Sequence, residues 1–270
     1  NLEFEDRVVE LVGENDAGDS FKSTELTDYL RVVRASQELK VDGRPKVGVV
    51  VASGEILDGE QPPGTVGGES TARLIRGARL DDEIKAIVLR VDSPGGSVLA
   101  SELIYREVKA AKDAGKPVVV SMGDLAASGG YYIAAPADEI WAYPATITGS
   151  IGIFATIPTF NQTLDKIGVT TDGVGTTPLS GQFRLDRPLG PDAEKLIQAT
   201  IERGYEDFLA RVAAGRGKTR DAIDTVAQGR VWSGTDAKRL GLVDQLGSFE
   251  DAIKSAAKRA EKYPDELEFP

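Results

Sequence analysis

The sequence of 270 residues contains neither cysteine nor histidine. The lack of cysteine excludes disulfides, a thiolate nucleophile and cysteine-based metal sites, and the lack of histidine excludes a Ser-His-Asp triad. Only carboxylates and carbonyls remain as metal ligands, and no EF-hand spacing is present, so we expect no metal and no cofactor. A net charge of −11 makes nucleic acid and anionic membrane surfaces poor partners.

Long hydrophobic runs are also missing. The longest strongly apolar runs, such as residues 47–52, have the length of a strand rather than of a membrane span. An apolar content of 41%, with charge spread along the chain, argues against disorder. The opening residues 1–13 are typical of the end of a helix, which suggests a processed chain or a fragment of a longer one.

Short β-branched runs alternate with helical patterns between residues 46 and 175, which predicts parallel β-α-β units. The predicted strands are 46–52, 84–91, 117–122 and 139–143, with a short terminal strand at 241–244. The predicted helices are 71–80, 97–114 and 192–213. We divide the chain into a linker segment with helical patches (1–45), a core (46–190) and a mostly helical part of the same domain (191–270).

Ser128 stands where a nucleophile would be presented. Small residues precede it, Gly129 and Gly130 follow it, and the run 131–135 is typical of a buried helix. A serine at a strand-to-helix turn has its hydroxyl near free backbone N–H groups, which stabilise an anion. Without histidine, a serine nucleophile here needs a lysine base or a second chain.

A second glycine pair, Gly95-Gly96, also follows a predicted strand and opens a helix. On its own it is typical of a tight turn that needs positive φ. Because it precedes Ser128 by one β-α unit, both junctions are expected at neighbouring carboxyl ends of a parallel sheet. The N–H groups of Gly96 and Gly129 could then form an oxyanion hole for acyl transfer.

Three motifs follow one another within the predicted core: Arg-Val-Asp-Ser-Pro-Gly-Gly-Ser at 90–97, Ala-Ala-Ser-Gly-Gly-Tyr at 126–131 and Thr-Gly-Ser-Ile-Gly-Ile at 148–153. They resemble the signal peptide peptidase A (SppA) family of bacterial serine–lysine proteases. Residues 228–234 and 241–247 are similar to the family as well. The resemblance covers roughly residues 46–260.

This resemblance implies an α/β, ClpP/crotonase-like fold of repeated β-β-α units with a helical C-terminal extension. It implies Ser128 as the nucleophile and the N–H groups of Gly96 and Gly129 as the oxyanion hole. It also implies that Ser150 is a second serine, which orients the lysine base. The implied substrates are remnant signal peptides and other unfolded apolar peptides.

One departure from the family concerns the base. Short members carry the lysine in a Ser-Gly-x-x-Lys loop, where this chain has Arg184, and arginine does not lose its proton in proteins. Long members have two tandem copies of the fold, of which the amino-terminal copy supplies the lysine. The chain therefore resembles the carboxyl-terminal half of a long member. Lys166 is the alternative base within the chain, although its pattern is that of a helix end.

The resemblance further implies a homo-oligomer in the bacterial cell envelope, outside the cytoplasm, with its inner-membrane anchor in the missing half. Two other functions compete with the serine–lysine endopeptidase. Crotonase-like folds also serve acyl-CoA enzymes, although no phosphate-binding signature is present here. The chain could otherwise be a non-catalytic assembly domain, which Arg184 favours for the isolated chain.

Overall fold

The computed structural model describes residues 8–14, 22–25, 28–29, 46–177 and 179–261. Contacts between Cα atoms divide the chain into two compact units, Asn1–Arg44 and Pro45–Pro270. In the first unit residues 8–12 are helical, and most of the predicted segment 1–45 lies outside the described residues. The domain boundaries predicted at residues 45 and 190 stay predictions. Along the described stretches, no helix has both the length and the apolar character needed to span a bilayer.

The second unit alternates strands and helices. The strands are β1 (Lys46–Ser53), β2 (Ile56–Leu57), β3 (Val66–Gly67), β4 (Ile84–Ser93), β5 (Val118–Ala127), β6 (Glu139–Ala142), β7 (Ile147–Gly149), β8 (Val231–Ser233) and β9 (Gln245–Leu246). The helices are α1 (Gly68–Leu80), α2 (Val98–Asp113), α3 (Gly129–Ala134), α4 (Asn161–Lys166), α5 (Pro191–Arg216), α6 (Arg220–Asp224), α7 (Gly234–Leu240) and α8 (Phe249–Glu261).

The main sheet has the strand order β1-β4-β5-β6-β9, and every pair along this path is parallel. β7 pairs in parallel with the last residues of β5, and β8 adds to β7 in the antiparallel direction. β2 and β3 form a separate parallel pair. The predicted α/β class with a mostly parallel sheet is confirmed.

Alternate side chains of the central strands face two different layers, as the two-residue period of a strand requires. On β4, Ile87 and Leu89 belong to the larger core, which is shared with α1, α2, α3 and α5. Ala86 and Val88 face the opposite side and pack with residues of α8. Along β4 and β5 the sheet is therefore buried on both faces, which explains why these two strands are nearly continuous apolar runs.

Two strand predictions differ from the structure. β5 was predicted to end at residue 122 but continues to Ala127, because residues 125–127 pair with β7. The strand predicted at 241–244 is wrong, since Gly241 ends α7 in the left-handed conformation with φ 75°. The strand at this place is β9, which begins at Gln245.

Candidate active site

Ser128 lies between the end of β5 and the first turn of α3. Its backbone has φ 52° and ψ −119°, a rare conformation for an L-residue and one typical of strained turns that project a nucleophile. The turn is held by two hydrogen bonds, from Ser128 N–H to Gly149 O at 2.9 Å and from Tyr132 N–H to Ser128 O at 2.9 Å. The half-buried Ser128 hydroxyl has no hydrogen-bond partner among the described residues, and Ser128 lines a cleft.

Gly95 and Gly96 bring the loop between β4 and α2 against the Ser128 turn. A Cβ at Gly95 would lie 2.5 Å from Gly129 N and 2.9 Å from Ser128 Cβ, so this position has no room for a side chain. A Cβ at Gly129 would lie 3.1 Å from Gly96 N. The amide groups of Gly96 and Gly129 are therefore neighbours beside Ser128.

The pairing of β2 with this loop leaves the Gly96 N–H unused. Ile56 N–H donates to Gly95 O at 2.9 Å, and Ile56 O accepts from Ser97 N–H at 2.8 Å. Gly96, which lies between these two residues, therefore turns its own N–H away from β2. Gly129 N–H belongs to the first turn of α3, whose amides have no partner within the helix. In the described part of the chain neither N–H has an acceptor, so both can donate a hydrogen bond to an anion beside Ser128.

Ser150 follows β7 and lines the same cleft as Ser128. It also has a positive φ, 49°, and its N–H donates to Arg230 O at 2.7 Å. In the sheet Ala127 is paired with Gly149, so the two serines follow two directly paired residues. The structure thus brings Ser128, Ser150 and Gly96 to one cleft, and places Gly129 in the wall of a pocket beside it.

The cleft has a volume of about 930 Å³. Ile153, Phe154 and Ile201 give its wall apolar side chains, and Phe154 is 87% exposed. The charged residues of the lining are two glutamates, Glu55 and Glu202. A cleft of this kind fits an extended peptide with apolar side chains.

A smaller pocket of about 70 Å³ opens beside Ser128 and Gly129. Tyr132 and Phe208 belong to its wall, and both are almost fully buried. Their rings are in contact, with centroids 4.8 Å apart, so the pocket has a rigid aromatic side. Its size suits a small side chain rather than an aromatic one.

None of the lysines that the structure describes lines either cavity. Arg184 donates to both carboxylate oxygens of Asp186, from Nε at 2.8 Å and from a terminal nitrogen at 2.5 Å. These hydrogen bonds raise the pKa of Arg184 and lower the pKa of Asp186 to about 2, so the guanidinium keeps its proton. Lys166 lies in the last turn of α4 and also stays outside the lining of both cavities.

One wall of the cleft was not predicted from the sequence. Gln198, Glu202 and Tyr205 of α5 line it, together with Gln228 and Gly229 of the loop before β8. The three α5 residues follow one another at intervals of four and three positions, so they form a polar stripe along the helix. This stripe lies next to the apolar face that predicted the helix. The stripe was visible in the sequence, but nothing there indicated that it faces Ser128.

Several known proteins are similar to this chain in sequence or in fold. A sequence model of peptidase family S49 matches residues 110–262. "Protease 4" of Salmonella typhi is 48% identical over 260 residues, covering 96% of this chain and 41% of the relative. "Serine protease SPPA, chloroplastic" of Arabidopsis thaliana is 33% identical over 267 residues, covering 96% of this chain and 39% of the relative. The chain thus spans about two fifths of the length of these relatives.

A ClpP1 mutant from Listeria monocytogenes has a similar structure, with a TM-score of 0.50 and 19% sequence identity, over 81% of this chain and 99% of the other. At that identity the likeness shows the fold alone, and it confirms the predicted ClpP-like fold. The resemblance to the SppA family that the sequence motifs indicated is confirmed by the relatives. Since the family match covers more than half of the 270 residues, this chain belongs to peptidase family S49.

Proposed function

We propose that this chain supplies the nucleophile and the oxyanion hole of a serine–lysine endopeptidase of the signal peptide peptidase type. Ser128 is the nucleophile, and the N–H groups of Gly96 and Gly129 bind the oxyanion. The observation that carries this proposal is the strained Ser128 turn, with φ 52° and its hydroxyl unpaired among the described residues, next to two N–H donors without acceptors.

In the proposed reaction an uncharged lysine amine takes the Ser128 hydroxyl proton while Oγ attacks the scissile carbonyl carbon. The electron pair of the C=O bond moves to the oxygen, which accepts hydrogen bonds from Gly96 and Gly129. Collapse breaks the C–N bond, and the leaving amine takes the proton from the lysine. Water then hydrolyses the acyl ester, with the lysine again as base.

We place the lysine in an amino-terminal copy of the fold, in another segment or chain. Two observations support this: no described lysine lines the cleft, and Arg184 keeps its charge in its pair with Asp186. Ser150 lines the cleft from the end of β7, and its hydroxyl has no hydrogen-bond partner among the described residues. It is the side chain that orients the incoming amine.

The proposed substrates are remnant signal peptides and other unfolded apolar peptides. The apolar residues Ile153, Phe154 and Ile201 in the cleft support this class, because an extended apolar peptide buries its side chains against them. We also propose a homo-oligomer in the bacterial envelope, associated with the membrane through a segment outside this chain. The bacterial relatives support the bacterial assignment, and the ClpP-like fold supports the oligomer.

Labelling with a fluorophosphonate probe, followed by peptide mass spectrometry, tests the proposal. The chain is labelled alone and after mixing with a lysine-bearing amino-terminal half of a long family member. We expect label on Ser128 in the mixture only. Ser128→Ala is expected to fold, by circular dichroism, and to take no label, whereas Ser23→Ala, at an exposed serine of the first unit, leaves labelling unchanged.

Other outcomes separate the alternatives. Label that persists in Ser128→Ala contradicts the proposed nucleophile. Label on Ser128 in the chain alone places the base within this chain, and Lys166 is then the first residue to substitute. An unlabelled Ser128 in both conditions favours a non-catalytic assembly domain, and binding of a CoA thioester favours an acyl-CoA enzyme.

A further inference from the structure

Tyr205 and Asp224 form a hydrogen-bonded group with the loop that pairs with the backbone of Ser150. The Tyr205 hydroxyl donates to Asp224 Oδ1 at 2.5 Å and accepts from Gln228 N–H at 3.1 Å. Arg230 adds hydrogen bonds within the loop before β8, since its guanidinium donates to Gln228 Oε1 at 2.9 Å and to Thr225 O at 2.8 Å. The loop before β8 is thus tied to α5 through one phenolic oxygen.

Gln228 is strained within this loop. It has φ 59°, and it is one of three non-glycine residues with positive φ in the described part of the chain, the others being Ser128 and Ser150. A residue keeps such a conformation only where its surroundings hold it there. Tyr205 contributes to that restraint directly, because its oxygen receives the Gln228 N–H.

The same loop holds the backbone of Ser150. Ser150 N–H donates to Arg230 O at 2.7 Å, and Gly229 N–H donates to Ile151 O at 2.9 Å, which extends the β7–β8 ladder past its last strand pair. A Cβ at Gly152 would lie 3.0 Å from Gly229 N and Cα, so the two segments are in close contact. The Tyr205 hydroxyl is therefore connected to the Ser150 backbone without a gap. A hydrogen bond joins Tyr205 to Gln228, the chain continues to Arg230, and a second hydrogen bond joins Arg230 to Ser150.

The Tyr205 hydroxyl suits this role at neutral pH. Burial raises its pKa to about 12, with a further contribution from the hydrogen bond to Asp224. The hydroxyl therefore keeps its proton and donates it to Asp224, which leaves a lone pair for the Gln228 N–H. Asp224 in turn fixes the direction of the hydroxyl, and its own pKa is lowered by the Tyr205 hydrogen bond.

We propose that Tyr205 is a positioning residue for Ser150, acting through the Gln228–Arg230 loop; this rests on the function proposed above. Tyr205 fixes Gln228 in its strained conformation, and the loop then holds Ser150 where its side chain can orient the base. Without the Tyr205 hydroxyl, Gln228 relaxes and the carbonyl of Arg230 shifts from the Ser150 N–H. A displacement of the order of 1 Å in such a group costs up to ~100-fold in rate.

Tyr205→Phe tests the proposal, because it removes one oxygen and keeps the ring in the cleft wall. Tyr143→Phe is the matched control, since the Tyr143 ring packs over Arg90 and does not line the cleft. Two quantities are measured for each variant: the rate of Ser128 labelling in the mixture that labels wild type, and the hydrogen-exchange rate of the Ser150 amide. We expect Tyr205→Phe to slow labelling about tenfold or more and to speed Ser150 exchange about tenfold.

The pair of readouts separates positioning from other roles. Unchanged labelling in Tyr205→Phe overturns the proposal, and so does slower labelling with unchanged Ser150 exchange, which would assign Tyr205 to probe or substrate contact. If wild-type Ser128 takes no label, the proposed function fails. The exchange measurement then still decides whether the Tyr205 hydroxyl holds the Ser150 backbone.

Discussion

Replacing Gly96 by alanine should destabilise the second unit far more than an ordinary glycine replacement. Gly96 has φ 150°, and a Cβ there would lie 2.1 Å from Ile56 O and 2.9 Å from Ile56 C. Because both atoms belong to backbone, no side-chain rotation relieves the clash. The loop must separate from β2, which breaks the hydrogen bonds from Ile56 N–H to Gly95 O and from Ser97 N–H to Ile56 O.

The cost follows from these losses. Two backbone hydrogen bonds are worth about 1–3 kcal/mol together, and an alanine at positive φ costs about 1–2 kcal/mol. Gly96→Ala should therefore lower the free energy of unfolding by about 2–5 kcal/mol. Gly59 provides the matched control, since its φ is also positive, 73°, but a Cβ there would meet nothing within 4 Å. Gly59→Ala should cost only the backbone strain, about 1–2 kcal/mol.

Urea unfolding followed by tryptophan fluorescence measures both variants, with Trp141 and Trp232 as the probes. Where Gly96→Ala remains folded, Ser128 labelling in the mixture should also fall by about 100-fold or more, because one of the two proposed oxyanion donors is displaced. Equal stability losses in Gly96→Ala and Gly59→Ala would refute the reasoning, since the clash with β2 would then contribute nothing.

Three further predictions use other parts of the structure. Burial raises the pKa of Glu102, but hydrogen bonds from Arg106, Tyr132 and Arg211 outweigh it and place the pKa below 4.5. The ionised Glu102 therefore stabilises the fold above the usual carboxyl pKa, and this stabilisation is lost as the pH falls through the folded-state pKa. Between pH 6 and pH 3, urea unfolding should show a smaller loss of unfolding free energy for Glu102→Gln than for wild type, because the variant has no carboxylate to protonate. Gly77→Ala, at an exposed site inside α1 with open space for a Cβ, should raise the unfolding free energy by about 0.5–1 kcal/mol in the same assay, and a loss of stability would contradict this. Because the pocket beside Ser128 holds about 70 Å³, the mixture with the lysine-bearing amino-terminal half should cleave peptides with alanine before the scissile bond at least about tenfold faster than peptides with phenylalanine there. Chromatography measures both rates, and equal rates would exclude this pocket as the specificity site.

Much of the fold could be predicted from local pattern. The β-branched runs predicted β1, β4, β5 and β6, and the apolar periodicity predicted α1, α2 and α5, each with ends a few residues off. The errors have long-range causes. β5 extends to Ala127 because β7 pairs with it, and such pairing leaves no local sequence signal.

The candidate site, too, could be predicted only where its signal is local in the sequence. Glycine and serine at 95–96 and 128–130 already indicated a turn that could present a nucleophile beside backbone amides. The sequence did not reveal that Ser128 and Ser150 both have positive φ, because these conformations are imposed by hydrogen bonds to Gly149 O and Arg230 O. Nor did it reveal Tyr205, which reaches Gln228 across 23 positions of chain.

By itself, then, the sequence determined the central strands β1, β4, β5 and β6, the helices α1, α2 and α5, the family of the chain and the small residues around Ser128. Each of these depends on side chains that are near one another along the chain. Only the tertiary structure decided that α5 forms a wall of the cleft and that no described lysine reaches the cleft. Those facts depend on how distant segments pack, and packing is set by the whole buried core rather than by any local run of residues.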